Sequence, residues 1–413
     1  MSDLTLRWLH SLADIPTAAW NALALPLHTP FLEWEWLYAL EQSGSATART
    51  GWLPCHLTLW RGDSLVAAAP LYLKSHSYGE FVFDHQWAEL GHRLGEAYYP
   101  KLVGMTPFTP AVGYRFLVAS GESEILVNHL FSEAIDQFCQ QQGISSCHLL
   151  FTDPHWQLGM QPLDWHCWLH HHFLWHNPGF HTFEDYLTGF NANQRRNIKR
   201  ERQAVQQAGL GLRTIQGPTA PEHFYTLVHD FYSNTCDKFL WGSKYLTPQF
   251  FRALRPAFAH RLLFVAASEP GREAEPTGMA FCVTKGDRLY GRYWGSWQDI
   301  HALHFETCYY TPIEWAIQQG ITTFDPGAGG RHKRRRGFVA VPNHSLHRFY
   351  HRRLGSILPE YIRQVNPYTT EEINAINQDV PLKSLPDITV APGIHLQASA
   401  DAGAEGGESD ARP

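Results

Sequence analysis

No stretch of the 413 residues comes near the roughly 18 consecutive apolar side chains that a membrane-crossing helix needs. The opening MSDLTLRWLHSLADIP has no basic start followed by a long apolar run, so it does not read as a secretory leader. Both absences point to a cytoplasmic protein without a membrane span. Cysteine is sparse: seven residues, widely spaced, with no C-x-x-C. An odd count in that pattern suits reduced thiols rather than a disulfide framework. Charge is scarce too, at 17 % of residues with a formal net of -6, so the whole molecule is no polyanion binder. Any contact with nucleic acid has to come from a local basic patch. Six histidines crowd positions 166, 170, 171, 172, 176 and 181, yet no H-E-x-x-H occurs and Cys167 has no partner at finger spacing. A metal site is therefore not expected, and the alternation of LHHHFLWHN reads as an aromatic strand with His on one face.

What is present is material for a core. Hydrophobic residues make up 44 % and aromatics 14 %, in a chain long enough for two ordinary domains. Two helix ends look alike: FCQQQGISSCHLLF and WAIQQGITTFDPG each read as a helix stopped by glycine, Gly143 and Gly320, before a short strand. Val127, Leu130, Phe131, Ala134, Ile135 and Phe138 form a helical apolar stripe before the first. Phe305, Tyr309, Ile313 and Ala316 precede the second, where Pro312 either kinks the helix or starts it with Thr311 as N-cap. Residues 56–73 read as strand, turn at Gly62-Asp63, strand. Residues 262–294 read as three strands, broken by a loop at 268–277 and a turn at Gly286-Asp287. Two runs of meander, helix and strand predict a duplicated α/β (α+β) unit. The expected division is an N-terminal half 1–160, a C-terminal half 161–385 holding the active cleft, and a disordered acidic tail 386–413.

Chemistry concentrates in the second half. The helix expected at 193–207 gathers Arg195, Arg196, Lys199, Arg200 and Arg202, a surface suited to phosphates of a nucleotide, a CoA or a tRNA. The plainer alternative is a solvated helix with Glu201 as partner. A second basic cluster, DPGAGGRHKRRRGF (325–338), follows a strand. Gly327, Gly329 and Gly330 let backbone approach a ligand closely, and Arg331, Lys333, Arg334, Arg335 and Arg336 supply charge. No G-K-[ST] follows, so this is not a Walker loop. Near it, Arg292, Tyr293, His304, Glu306 and Asp325 form the candidate catalytic set. A Glu or His there can take a proton from an amine nucleophile, and Arg292 and Tyr293 can orient an acyl carbonyl or its oxyanion. Each is also a residue type that serves purely structural ends.

The segments WHNPGFHTFEDYLTGFNANQRRNIKRER, DKFLWGSKYLTPQFF, YGRYWGSW, LHFETCYYTPIEWAIQQG and PGAGGRHKRRRGF occur in order. Together they resemble the bacterial FemAB-like predicted N-acyltransferases of the GNAT superfamily, over most of residues 30–355. The resemblance implies two GNAT-like acyltransferase domains in tandem, with mixed sheets flanked by helices. It implies transfer of an acyl or aminoacyl group to an amine such as that of a cell-wall precursor. The donor would be aminoacyl-tRNA or acyl-CoA, as co-substrate rather than tightly bound cofactor. His332, Lys333 and Arg335, with the three glycines and Arg195, Arg196, Lys199 and Arg200, would bind donor or acceptor. Arg331 stands where the family usually has an acidic residue, which leaves no carboxylate at that position. The Q/R-x-x-G-x-G/A loop of ordinary acetyltransferases is matched only by QQAGLG (206–211), after a helix, where it reads as a helix C-cap. Two rivals stay open: a non-catalytic binder of nucleic acid or precursor, and a metal-dependent hydrolase. Oligomeric state is not legible.

Overall fold

The computed structural model describes residues 4–238, 243–385, 389–391 and 394–395. Most of the expected acidic tail, and residues 239–242 of the DKFLWGSKYL segment, lie outside them. The N-terminal half runs β1 (Leu4–Leu9), α1 (Thr17–Ala24), α2 (Trp34–Gln42), β2 (Trp52–Pro54), β3 (His56–Arg61), β4 (Ser64–Ala69) and β5 (Leu71–Lys74). It continues through α3 (His85–Arg93), β6 (Lys101–Gly104), β7 (Leu117–Val118), α4 (Glu124–Gln141) and β8 (Ser146–Thr152). Then come β9 (His166–His176), α5 (Phe183–Thr188), α6 (Ala192–Gln207), β10 (Gly211–Gln216), α7 (Glu222–Asp237) and α8 (Pro248–Phe258). The last part holds β11 (Leu262–Ser268), β12 (Gly278–Lys285), β13 (Arg288–Ser296), α9 (Leu303–Phe305), α10 (Thr311–Gln318), β14 (Thr323–Asp325), β15 (Val339–Phe349) and α11 (Arg352–Gln378). Beyond it, Thr389–Ala391 pairs with Ile394–His395.

The repeated helix ends are the same structure twice. Gly143 and Gly320 take left-handed φ values of 64° and 68°, and the next residue bonds back five positions: Ile144 to the Cys139 carbonyl (2.8 Å) and Ile321 to that of Ala316 (2.9 Å). This is the closure a left-handed glycine allows. Gly209, within QQAGLG, also stops its helix, at φ 79°. After each of the two matched stops comes a strand whose neighbour on one side runs parallel: β6 beside β8, and β13 beside β14.

On its other side β14 pairs with β9, the first strand of the C-terminal half, whereas β8 of the N-terminal half takes its partner from the opposite half, β15. β9 and β15 then pair with each other over nine residues, from Val339↔Leu174 to His347↔His166. One sheet of eleven strands results, in the order β10-β11-β12-β13-β14-β9-β15-β8-β6-β5-β2; β1, β3, β4 and β7 form a second sheet. The apolar core is likewise shared: one cluster runs from Leu12 through Leu149 to Phe281 and Leu358. Polar ties cross as well, with Glu33 bound to Arg261 (3.0 Å) and Lys285 (2.7 Å).

Pro312 neither starts the helix nor bends it sharply. The helix is continuous from Leu303 to Gln318, through a π turn at Glu306–Tyr310, and Tyr310 at the cap position is itself helical. A proline lacks the N–H that an α turn would use, and widening the preceding turn by one residue absorbs that loss. The Thr311 hydroxyl accordingly does not cap; it donates to Glu306 (2.8 Å).

Candidate active site

β13 and β14 stay paired only from Arg288↔Thr323 to Tyr290↔Asp325. Beyond that point they part, and the gap is the candidate site. On the β13 side, Cys282 pairs with Gly291 and Phe281 with Tyr293, so Arg292 is the extra residue of a β-bulge. Bulges re-aim side chains beside functional sites. On the β14 side the chain turns through Gly327, Gly329 and Gly330, all at positive φ. A Cβ on Gly327 would stand 3.1 Å from the Gly291 carbonyl, in a conformation already strained for other residues. Between bulge and turn lies a cavity of about 250 Å³ lined by Arg292, Tyr293, His304, Tyr309, His332 and Lys333.

The turn is held from below. Asp325 accepts from the Gly327 amide (2.7 Å) and from Arg292 Nη2 (3.0 Å), and His172 Nε2 lies 3.3 Å away. Arg292 and His172 hold the Asp325 carboxyl well below the usual range even though burial pushes the other way. Lys333 is buried, and its Nζ donates to the carbonyls of Gly327 (2.6 Å) and Ala328 (3.0 Å). Burial pulls this ammonium down to about 8, against the attraction of Asp325. A neutral amine keeps two N–H donors for those two carbonyls and frees a lone pair, so Lys333 can change protonation without losing its hydrogen bonds. The Tyr309 hydroxyl lies 3.0 Å from His332 Nε2. Burial and the neighbouring cations pull His332 down to about 4 and His304 to about 3, so both rings are neutral at pH 7. Cys308, also on the cavity wall, has its thiol pushed up by burial and stays protonated.

Arg292, Tyr293, His304, Gly329, Gly330, His332 and Lys333, scattered over more than forty positions, thus converge on one cavity. Others go elsewhere. Glu306 turns to α6, where Arg202 Nε donates to it (3.1 Å) while Nη2 reaches Glu314 (2.7 Å). Burial raises its pKa, but Arg202 keeps it occupied. Arg202→Met is therefore expected to cost about 2 kcal/mol in thermal unfolding, since it takes a partly exposed arginine away from the buried Glu306 carboxylate. The exposed Arg196→Ala should stay within about 0.5 kcal/mol.

Arg195, Arg196, Lys199 and Arg200 do not line the cavity either. Arg195 donates to the Phe190 carbonyl (3.2 Å), Arg196 to Asn193 and Arg200 to Asn197 (3.1 Å), and Lys199 pairs with Glu184 (3.0 Å). The two basic clusters do meet, however. Gln194 binds the Arg335 carbonyl (2.7 Å), and Glu201 binds buried Arg336 (2.8 Å). Arg335, itself exposed, thereby has its backbone against the first turn of α6. His172 was not among the candidates: it looks like one more residue of an alternating strand, and only the pairing of β9 with β14 brings it to Asp325. Among the described residues no group of three or more His, Cys, Asp or Glu could hold a metal. No described helix is long and apolar enough to cross a membrane.

A family model for FemAB-like proteins, described as peptidoglycan biosynthesis/recognition, matches residues 11–384. The chain belongs to the FemAB-like family. Among solved structures this FemAB-like chain is similar to FemX, at 10 % identity and TM-score 0.50, covering 86 % of this chain and all of that one. L-PGS from Bacillus licheniformis matches at 9 % identity and TM-score 0.48, covering 84 % of this chain and 98 % of that one. A tandem GNAT protein from the clavulanic acid biosynthesis pathway matches at 12 % and 0.43, with the same coverage. The FemX likeness is one of fold, and the mixed sheets flanked by helices expected from the sequence are present. No curated protein matches the FemAB-like chain.

Proposed function

We propose that the chain is an N-acyltransferase whose reaction centre is the cavity between the Arg292 bulge and the glycine turn. An acyl or aminoacyl group passes there from an activated donor, aminoacyl-tRNA or acyl-CoA, to an amine such as that of a cell-wall precursor. The observation that carries this reading is Lys333, a buried amine held near neutrality on the wall of a cavity. An amine nucleophile must shed a proton as it attacks a carbonyl, and Lys333 is tuned to receive it. Arg292 Nε is buried with no hydrogen-bond partner among the described residues, a donor free for the oxyanion that forms. His304 and His332, neutral and close, orient the acceptor. The exposed cations Arg196, Lys199, Arg200 and Arg335 support the phosphates of the donor. Family membership and the shared fold agree with transfer but do not choose the donor.

Mass spectrometry of the protein incubated with charged tRNA, acyl-CoA and a panel of amines, muropeptide precursors included, tests this directly. A new acylated amine is the expected product. Retained tRNA without product would favour the binding module instead. With a substrate in hand, the rate should rise with pH and level off above about 8, because only the deprotonated lysine accepts the proton. Lys333→Met should lower kcat by about 10²–10⁴ and remove that inflection. A profile unchanged in the variant would remove Lys333 from the chemistry.

A further inference from the structure

A second cavity, of about 570 Å³, lies along the seam between β9 and β15. It is separate from the first, although the Ala328–Gly329 backbone borders both. Its walls are rings from both halves: Phe81, Phe83 and Phe151 from the first, Trp168 from β9 and Tyr361 from α11.

Three polar atoms on this wall, His170 Nε2, His172 Nε2 and Asn343 Oδ1, have no hydrogen-bond partner among the described residues. Asn343 is only 3 % exposed and His172 7 %. They share one face of the sheet, since Asn343 pairs with His170 across the β9–β15 register and His172 follows two positions on. His172 approaches Asp325 at 3.3 Å but is not aligned to bond it. Burial pulls His170 down to about 4, so its ring is neutral at pH 7. Buried polar atoms without partners are costly, and three on one wall call for a ligand that supplies them.

The backbone points the same way. Phe81 (φ 58°) and Phe151 (φ 53°) both adopt the left-handed conformation that bulky residues avoid, and both present their rings to the cavity. Phe108 (φ 59°) is a third, stacked on Tyr245 at 5.0 Å, against which Phe81 also packs. Strain of this kind gathers at ligand clamps. No lysine or arginine is among the described lining residues, and the carboxylate, Glu372, is engaged by Arg331 (3.5 Å) and His171 (3.7 Å). A phosphate or carboxylate would find no counter-charge there.

We infer that this cavity binds a neutral planar ring carrying N–H or O–H donors, its faces against the aromatic walls and its edge toward His170, His172 and Asn343. Stacking accounts for the rings, and the donors satisfy Asn343 Oδ1 and, in the matching tautomer, His170 Nε2. Nothing in this depends on acyl transfer.

Calorimetric titration of the full chain with indole, phenol, cyclohexanol and inorganic phosphate tests it. Indole and phenol should saturate one site, with cyclohexanol at least about tenfold weaker and phosphate neither binding there nor displacing indole. Asn343→Leu and Phe83→Ala should each weaken indole by about tenfold. Phe83 is 74 % exposed, so its variant keeps the fold even if the Asn343 variant does not. No saturable indole binding, equal affinity for cyclohexanol, displacement by phosphate, or full affinity in the Phe83 variant would each overturn the assignment. Because the readout is binding, it stands or falls apart from the transferase reading.

Discussion

Lys101→Met should be the most damaging single substitution in the N-terminal half, costing about 3–5 kcal/mol at pH 7.5 in denaturant or thermal unfolding. Lys101 is fully buried, and its ammonium binds Glu80 (2.7 Å), Ser77 (2.8 Å) and Asp84. Lys74 stands 3.9 Å from Glu80 and 3.7 Å above the Trp52 ring. Methionine keeps the volume and removes the charge, leaving two buried carboxylates with one distant cation. Glu80 is already pushed up to about 7 by burial, with Lys101 pulling it down; without Lys101 it rises further, and Asp84 follows. A carboxyl whose folded value exceeds its unfolded one binds its proton better when folded, so its contribution to stability falls as pH rises between those values. The variant should therefore recover toward wild type between pH 7.5 and 4.5. A loss of the same size at both pH values would mean that packing, not charge, holds this cluster.

At the active-site end the corresponding result is expected for Asp325→Asn, again about 3–5 kcal/mol, because Arg292, 2 % exposed at its side chain, is left buried without its counter-charge. The sign with pH is opposite. The Asp325 value is depressed in the folded state, so its contribution is present above the ordinary carboxylate range and is lost as pH falls through it toward the folded value. The gap between wild type and Asp325→Asn should narrow in acid. This variant has a second readout that unfolding alone would not move. Asp325 raises the Lys333 value, so its loss lowers that value further, and the inflection in rate should shift below pH 8. An inflection that stays in place would show that the two groups are not coupled.

What the sequence disclosed was local. The glycine stops at 143 and 320, the three strands of 262–294 and the helix at 193–207 are written in neighbouring residues, and all are present. The glycine-rich turn and the cavity residues 292–333 were legible because they lie within one stretch of chain. Long-range pairings were not. Nothing near Glu306 announces Arg202, nothing near Asp325 announces His172, and the Lys101 cluster joins residues that carry no motif. The bulge at Arg292 was hidden for a related reason: it is a mismatch between two strands, and each strand alone reads as regular.

The pairing of β8 with β15 also sets an order of events as the chain is made. Ser146 finds its partner in Phe349, about two hundred residues later. Until then the newly synthesised first half presents an unpaired strand edge, the surface on which chains join wrongly to one another. Contacts so distant in sequence form slowly. A cut at residue 160 would thus take from β8 the partner that closes its edge, and the newborn protein is most exposed to aggregation just before β15 arrives.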